Sequence, residues 1–197
     1  VWQTDNDDDG NLATRLNYIL EYGNYGYRDE ITNADWRAFR ANIEDSIPLR
    51  HWHQYDPGVV PNLLNLGSGS PCGLMMYQGD MIKELKGSLL HAEALHHVLR
   101  AYKPSQQNAT VSATNLNIVK QNEDDWFRPV DVAAAPDGSL FIADWYDPGV
   151  GGHYAGDQTK GRIYRMASKA NVYKIPTFDK NKNGDIVQGL SSPNLSI

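Results

Sequence analysis

The run Arg128-Pro-Val-Asp-Val-Ala-Ala-Ala-Pro-Asp-Gly-Ser-Leu-Phe-Ile-Ala-Asp-Trp-Tyr-Asp147 constrains the fold more than any other segment of this chain. Asp137-Gly138 separates two apolar stretches, and an Asp-Gly pair so placed is the strongest short-range signal for a β-hairpin. Glycine takes positive φ without steric cost, and aspartate tolerates it. Gly161-Arg-Ile-Tyr-Arg-Met166 supplies a third strand. A meander of short strands ending in polar loops is what one blade of a β-propeller looks like in sequence.

The rest of the chain repeats the theme. Gly73-Leu-Met-Met-Tyr77, Gly87-Ser-Leu-Leu-His-Ala92, His97-Val-Leu-Arg-Ala-Tyr102 and Thr110–Val119 are four short strand candidates separated by turn residues, the content of one complete blade. Val1–Thr4 and Arg15–Tyr22 read as further strands. Residues 28–50, with Trp36 and Phe39, are too long for a hairpin loop and predict an inserted loop with one helical turn. Blades take about 40–45 residues and rings about 4–8 blades. The 197 residues therefore predict an all-β chain forming about three to four blades of a ring of about six. On that reading residues 1–168 are the C-terminal part of a propeller. Residues 169–197, rich in Lys, Asn, Pro and Asp, are a linker toward a following helical domain. An open ring has raw sheet edges, so the remaining blades are expected from the same protein or another chain.

Tyr55-Asp-Pro-Gly-Val59 recurs as Tyr146-Asp-Pro-Gly-Val150, an offset of about two blades. As a repeat, the pair places both loops after equivalent strands at the same end of the ring. As a common turn sequence, it carries no such meaning.

The composition, with 41% hydrophobic and 10% aromatic residues, suffices for a core. No apolar run approaches the roughly 20 residues that span a membrane. A net charge of −6 with no basic stripe argues against nucleic acid as a partner. One cysteine, Cys72, leaves no internal disulfide and no Cys-x-x-Cys-His haem attachment within these residues.

Three sets of residues suggest chemistry. Asp5, Asp7 and Asp9 alternate ahead of Gly10, the first half of a calcium loop, although Leu16 stands where an EF-hand has its bidentate Glu. The alternative is a solvated acidic turn. Asp179-Lys-Asn-Lys-Asn-Gly-Asp185 has the same outline and reads better as an Asn-Gly turn. His51 and His53 share a face if extended, and Asp56 follows closely. A neutral histidine oriented by a carboxylate is what a general base requires. His153 follows Gly151-Gly152 on a loop after a strand, whereas His96 and His97 on a strand would point to opposite faces. Arg128, held extended by Pro129, offers a fork for a carboxylate-bearing ligand or cofactor, or else a local salt bridge.

Trp2-Gln-Thr-Asp-Asn-Asp-Asp-Asp-Gly10, Glu21-Tyr-Gly-Asn-Tyr-Gly-Tyr-Arg-Asp29, Pro48-Leu-Arg-His-Trp-His53, Asp56-Pro-Gly-Val-Val-Pro-Asn62 and Ala143-Asp-Trp-Tyr-Asp-Pro-Gly-Val-Gly-Gly-His153 resemble the propeller of large bacterial haem-binding proteins named membrane-bound dehydrogenases. The likeness runs over most of residues 1–168 and extends to the glucose/sorbosone dehydrogenase superfamily. It implies an exported, periplasmic or secreted quinoprotein-like module that oxidises a sugar or alcohol. The family uses pyrroloquinoline quinone and calcium, with haem c in a further domain or partner. The resemblance places Arg128 at a quinone-contacting position, whereas Leu95 stands where a quinone-binding Lys is expected. The expected pocket is His53, Asp56 and His153 for proton transfer, with His51, Arg128 and Asp144 toward a cofactor. The rival expectations are a non-catalytic propeller scaffold that binds carbohydrate or protein, and a calcium-stabilised structural subunit.

Overall fold

The computed structural model describes residues 1–6, 12–35, 46–108, 110–120, 125–149, 159–170, 177–192 and 194. Among them ten strands form three antiparallel sheets. The first holds β1 (Trp2–Asp5), β2 (Thr14–Tyr18) and β3 (Leu64–Gly67), in that order. The second holds β4 (Pro71–Tyr77), β5 (Ser88–Glu93), β6 (Val98–Gln107) and β7 (Thr110–Lys120), again in sequence order. The third holds β8 (Pro129–Ala134), β9 (Leu140–Asp144) and β10 (Arg162–Met166). The chain is part of a β-propeller, and the four strands expected between Gly73 and Val119 form its complete blade.

The Asp137-Gly138 hairpin forms as expected. Gly138 takes φ 81°, and the Asp137 carboxylate accepts the Ser139 amide at 2.8 Å. The Ala135 amide donates to the Ser139 carbonyl and the Gly138 amide to the Ala135 carbonyl, both at 2.8 Å.

The middle sheet is covered on both faces, which the side-chain alternation of β5 makes visible. Leu90 and Ala92 pack with Val132, Leu140 and Ile142 of the third sheet. Leu89 lies on the opposite face, with Leu16 of the first sheet and Tyr102. Burying a leucine completely is worth about 1.5–3 kcal/mol, so the two adjacent leucines fasten one blade to both neighbours. His91 and Glu93 share the face of Leu89 and are consequently buried beneath the first sheet. Gly73 brings β4 against the backbone of Asp131, and a Cβ there would collide with β8.

The strands define two ends of the assembly. Pro71 lies opposite Glu93, Pro129 opposite Asp144, and Asp5 opposite Arg15, all at one end, called here the Arg128 end. The Gly138 turn, Tyr77 and Tyr18 lie at the other. β9 finishes at the Arg128 end and β2 at the Gly138 end, so the two Tyr-Asp-Pro-Gly segments occupy non-equivalent connections. Their similarity is that of a turn sequence and does not mark a blade repeat.

Helices are few. α1 (Ile47–His51) is the helical turn anticipated in residues 28–50, with Pro48 in its first turn, where a fixed φ suits a helix start. It corrects the extended reading of His51 and His53: His51 ends the helix, and His53 follows it with φ 51°. Likewise His96 and His97 lie in the turn between β5 and β6 instead of on a strand, His97 having φ 54°. α2 (Asn183–Leu190) begins where an Asn-Gly turn was expected, and Asp185 in its first turn complements the helix dipole. Beyond α2, Asn194 donates from Nδ2 to the carbonyls of Ala135 and Pro136 at 2.9 and 2.6 Å, which ties the chain back to the β8–β9 turn. No helix among the described residues is long and apolar enough to cross a membrane.

Candidate functional site

Arg128 is the centre of the end that bears its name. The residue immediately precedes β8, and its amide donates to Asp144 Oδ1 at 2.8 Å. Its guanidinium is buried and reaches sideways between two loops. Nε donates to the carbonyl of Asp147 at 3.0 Å, and Nη2 to that of Pro148 at 3.0 Å. Nη1 faces the carbonyls of Ala94 and Leu95 at 2.9 and 3.3 Å and His97 Nε2 at 3.1 Å. Burial lowers the pKa of this guanidinium, while Asp147 and Asp125 oppose the shift. The Nδ1 of His97 lies 2.7 Å from the Phe127 carbonyl, which only accepts. His97 therefore donates from Nδ1 and receives Arg128 at Nε2.

Asp144 holds the next loop. Its Oδ1 also accepts the Tyr146 amide at 2.8 Å, fixing Tyr146 at φ 55°, a conformation that costs a bulky residue energy. Asp144 Oδ2 is buried with no hydrogen-bond partner among the described residues. Around this node the Tyr146 ring lies 5.5 Å from that of Trp126, and the Arg162 guanidinium sits 3.7 Å above Tyr146. The result is a surface of aromatic and cationic groups at the mouth of the β9–β10 connection.

A second polar cluster lies between the first and second sheets, and residue patterning alone did not single it out. Glu93 Oε1 accepts the amides of Ser70 and Leu95, tying the start of β4 to the β5–β6 turn. His91 Nδ1 meets the Tyr102 hydroxyl at 3.0 Å, and its Nε2 stands 3.8 Å from Glu93 Oε2, neither of those two atoms having another partner. Arg100 donates from Nη2 to His96 Nδ1 at 2.7 Å, and His96 Nε2 meets Ser68 Oγ at 3.1 Å. Burial, reinforced by Arg100, pushes the His91 pKa down to about 3. Burial pushes Tyr102 up to about 12 and raises Glu93 against its amide hydrogen bonds and Arg100. A signal for this cluster did exist in sequence. Adjacent Leu89 and Leu90 on a short strand imply that both faces are covered, so a histidine and a glutamate two and four positions on from Leu89 share its buried face.

The other face of the first sheet carries a third group. Asp5 Oδ2 accepts Arg15 Nε at 2.8 Å and Asn17 Nδ2 at 2.9 Å, and Oδ1 accepts Gln3 Nε2 at 2.7 Å. Trp52 covers Arg15, its ring centre 3.8 Å from the guanidinium, and donates to the Ala13 carbonyl at 2.5 Å. His53 is wholly buried beside it, with Nδ1 donating to the Gly26 carbonyl at 2.7 Å and Nε2 without a partner among the described residues.

The expected pocket residues are thereby distributed. Arg128 and Asp144 meet at one node. His51 packs its ring 4.4 Å from that of Trp52, and His53 and Asp56 stay on the same flank, the Asp56 amide donating to the His53 carbonyl at 2.9 Å. Because Arg15 and Asn17 face away from the middle sheet, the first sheet and the body of the second separate His53 from Arg128. Asp5, expected at the head of a calcium loop, instead has its carboxylate committed to Arg15, whose cation already neutralises it. Asp7, Asp9 and His153 lie outside the described residues. Among the described residues no group of three His, Cys, Asp or Glu side chains has the geometry to hold a metal. The carboxylates of pyrroloquinoline quinone do not fit Arg128 either, since neither edge of its fork has two open donors.

The fold is similar to that of known proteins. The fold matches the crystal structure of an oxidoreductase described as a glucose dehydrogenase from Thermus thermophilus, with a TM-score of 0.53 and 18% identity over 84% of this chain and 40% of that one. A second crystal structure, of a glucose dehydrogenase, matches with a TM-score of 0.54 and 17% identity over 85% of this chain and 41% of that one. The chain thus spans about two fifths of the length of these solved structures. No curated protein matches it. A family model described as a domain of unknown function matches residues 45–170, from the insertion over the first sheet, through the complete blade, to the end of the third sheet. With well over half of its length covered by that model, the chain belongs to the DUF7133 family.

Proposed function

We propose that this chain is part of an exported, dehydrogenase-like propeller that oxidises a sugar or an alcohol and passes the electrons to a partner carrying the redox group. The reading is supported by the likeness of most of the chain to propellers described as glucose dehydrogenases. Oxidising a carbinol removes a hydride from carbon and a proton from its hydroxyl, so the site needs a neutral base. Two histidines are candidates. His53 donates from Nδ1 to Gly26, which leaves Nε2 as the unprotonated ring nitrogen, buried and without a partner among the described residues. His153 follows Tyr146 on the connection that Asp144 and Arg128 brace, outside the described residues. In this proposal Asp56 accompanies His53, while Asp144 positions the loop.

The test is dye-linked oxidation of a panel of sugars and alcohols by the intact protein, comparing His53→Gln with His153→Gln. Loss of a general base costs roughly 10²–10⁴ in rate, so the variant that falls by that much identifies the base. If neither variant changes the rate, both assignments fail.

A second reading is favoured by the separation of His53 from Arg128. On this reading the propeller is a scaffold, and the Trp126–Tyr146 surface is its contact for carbohydrate or protein. Equilibrium binding of sugars without any dye reduction supports that reading over the first.

A further inference from the structure

We infer that Arg128 is a clamp joining the β5–β6 turn to the β9–β10 connection, and that it holds no carboxylate of a quinone cofactor. The inference goes beyond the proposed oxidation and stands whether or not that reading holds, because it concerns what one buried side chain touches.

A guanidinium carries five N–H donors and grips a carboxylate through two parallel bonds along one edge. On the Nε–Nη2 edge, Nε is taken by the Asp147 carbonyl and one Nη2 hydrogen by that of Pro148. On the Nη1–Nη2 edge, Nη1 faces three acceptors: the carbonyls of Ala94 and Leu95, and His97 Nε2. Among the described residues one Nη2 hydrogen is left over, which is too few for a fork. The surroundings also repel an anion. Four backbone carbonyls converge on the cation, and the carboxylates of Asp147 and Asp125 already act on it. Where the resemblance expects a second cation stands Leu95, 39% exposed, which gives the clamp only its carbonyl.

The positive content is a coupling of loops. Glu93 fixes the Leu95 amide, Leu95 and Ala94 accept Arg128, and Arg128 holds Asp147 and Pro148. The position of the β9–β10 connection is thereby set from within the middle blade.

The intact protein is incubated with excess pyrroloquinoline quinone and calcium and then desalted. Retained quinone is read by absorbance, and the thermal midpoint is recorded with and without quinone. The expected result is that Arg128→Lys leaves quinone retention at the wild-type level while lowering the midpoint by the same amount in both conditions. Stoichiometric retention by the wild type that Arg128→Lys abolishes at an unchanged midpoint overturns the inference. Should Arg128→Lys fail to fold, Leu95→Lys carries the test by supplying the missing cation without disturbing the clamp. No gain of quinone is expected there, because a single added lysine has no second open cation beside it, and a gain of stoichiometric quinone overturns the inference.

Discussion

Acidification tests the buried His91 most severely. This imidazole titrates near 6.5 in an unfolded chain and at about 3 in the fold, where burial and Arg100 both disfavour its cation. Between those values the unfolded state binds the extra proton. A depressed histidine pKa therefore contributes stability that is complete above 6.5 and lost as pH falls toward 3. One pKa unit is worth about 1.4 kcal/mol, so the whole loss is about 5 kcal/mol, of which roughly 3 kcal/mol has gone by pH 4. Replacing His91 by Gln removes the titration. The thermal midpoints of the wild type and His91→Gln, measured from pH 7.5 to pH 4, should therefore converge as pH falls. At a few degrees per kcal/mol the difference between them should shrink by roughly 6–12 °C. Contributions from other groups, the Glu93 carboxyl among them, are shared by both proteins and cancel to first order. Parallel pH profiles would refute the placement of His91 as a neutral, buried group between the blades.

Other substitutions probe the remaining joints. Glu93 titrates above its usual value, so ionising it costs stability as pH rises from about 4.5 through its folded pKa. In Glu93→Gln that alkaline-side loss should disappear, as denaturant titrations at pH 5 and pH 8 would show. Leu90→Ala opens a cavity between the second and third sheets and should cost about 2–5 kcal/mol by the same titrations. Gly26→Ala requires a side chain at φ 70° where its Cβ would overlap the Trp52 carbonyl oxygen, so a loss of at least roughly 1–3 kcal/mol is expected from thermal melts. Trp52→Phe keeps a ring over Arg15 but drops the hydrogen bond to Ala13, which should cost about 1 kcal/mol, measured by the same melts.

Much of the fold was legible in the sequence because propeller strands are short, local and separated by turn residues with a mechanical reason to be there. Asp137-Gly138 is such a turn, and the strand pattern from Gly73 to Val119 needed only nearest neighbours to form one blade. The site was less legible because its residues act across blades. Nothing local distinguishes an arginine that binds a ligand from one, like Arg128, whose donors meet the carbonyls of residues 94, 95, 147 and 148. His53 looked like a partner for His51 on one strand, whereas Pro48 starts a helix that ends between them. Asp5 looked like a cation ligand because its acidic neighbours are adjacent in sequence, while Arg15 reaches it only through the pairing of β1 with β2.

The most direct test of the central claim is dye reduction by the intact protein across sugars and alcohols, run alongside equilibrium binding of the same compounds. A dehydrogenase-like propeller predicts acceptor reduction that depends on at least one sugar or alcohol and saturates with it. Saturable binding of a sugar with no acceptor reduced would contradict that account and leave the chain as part of a carbohydrate-binding scaffold.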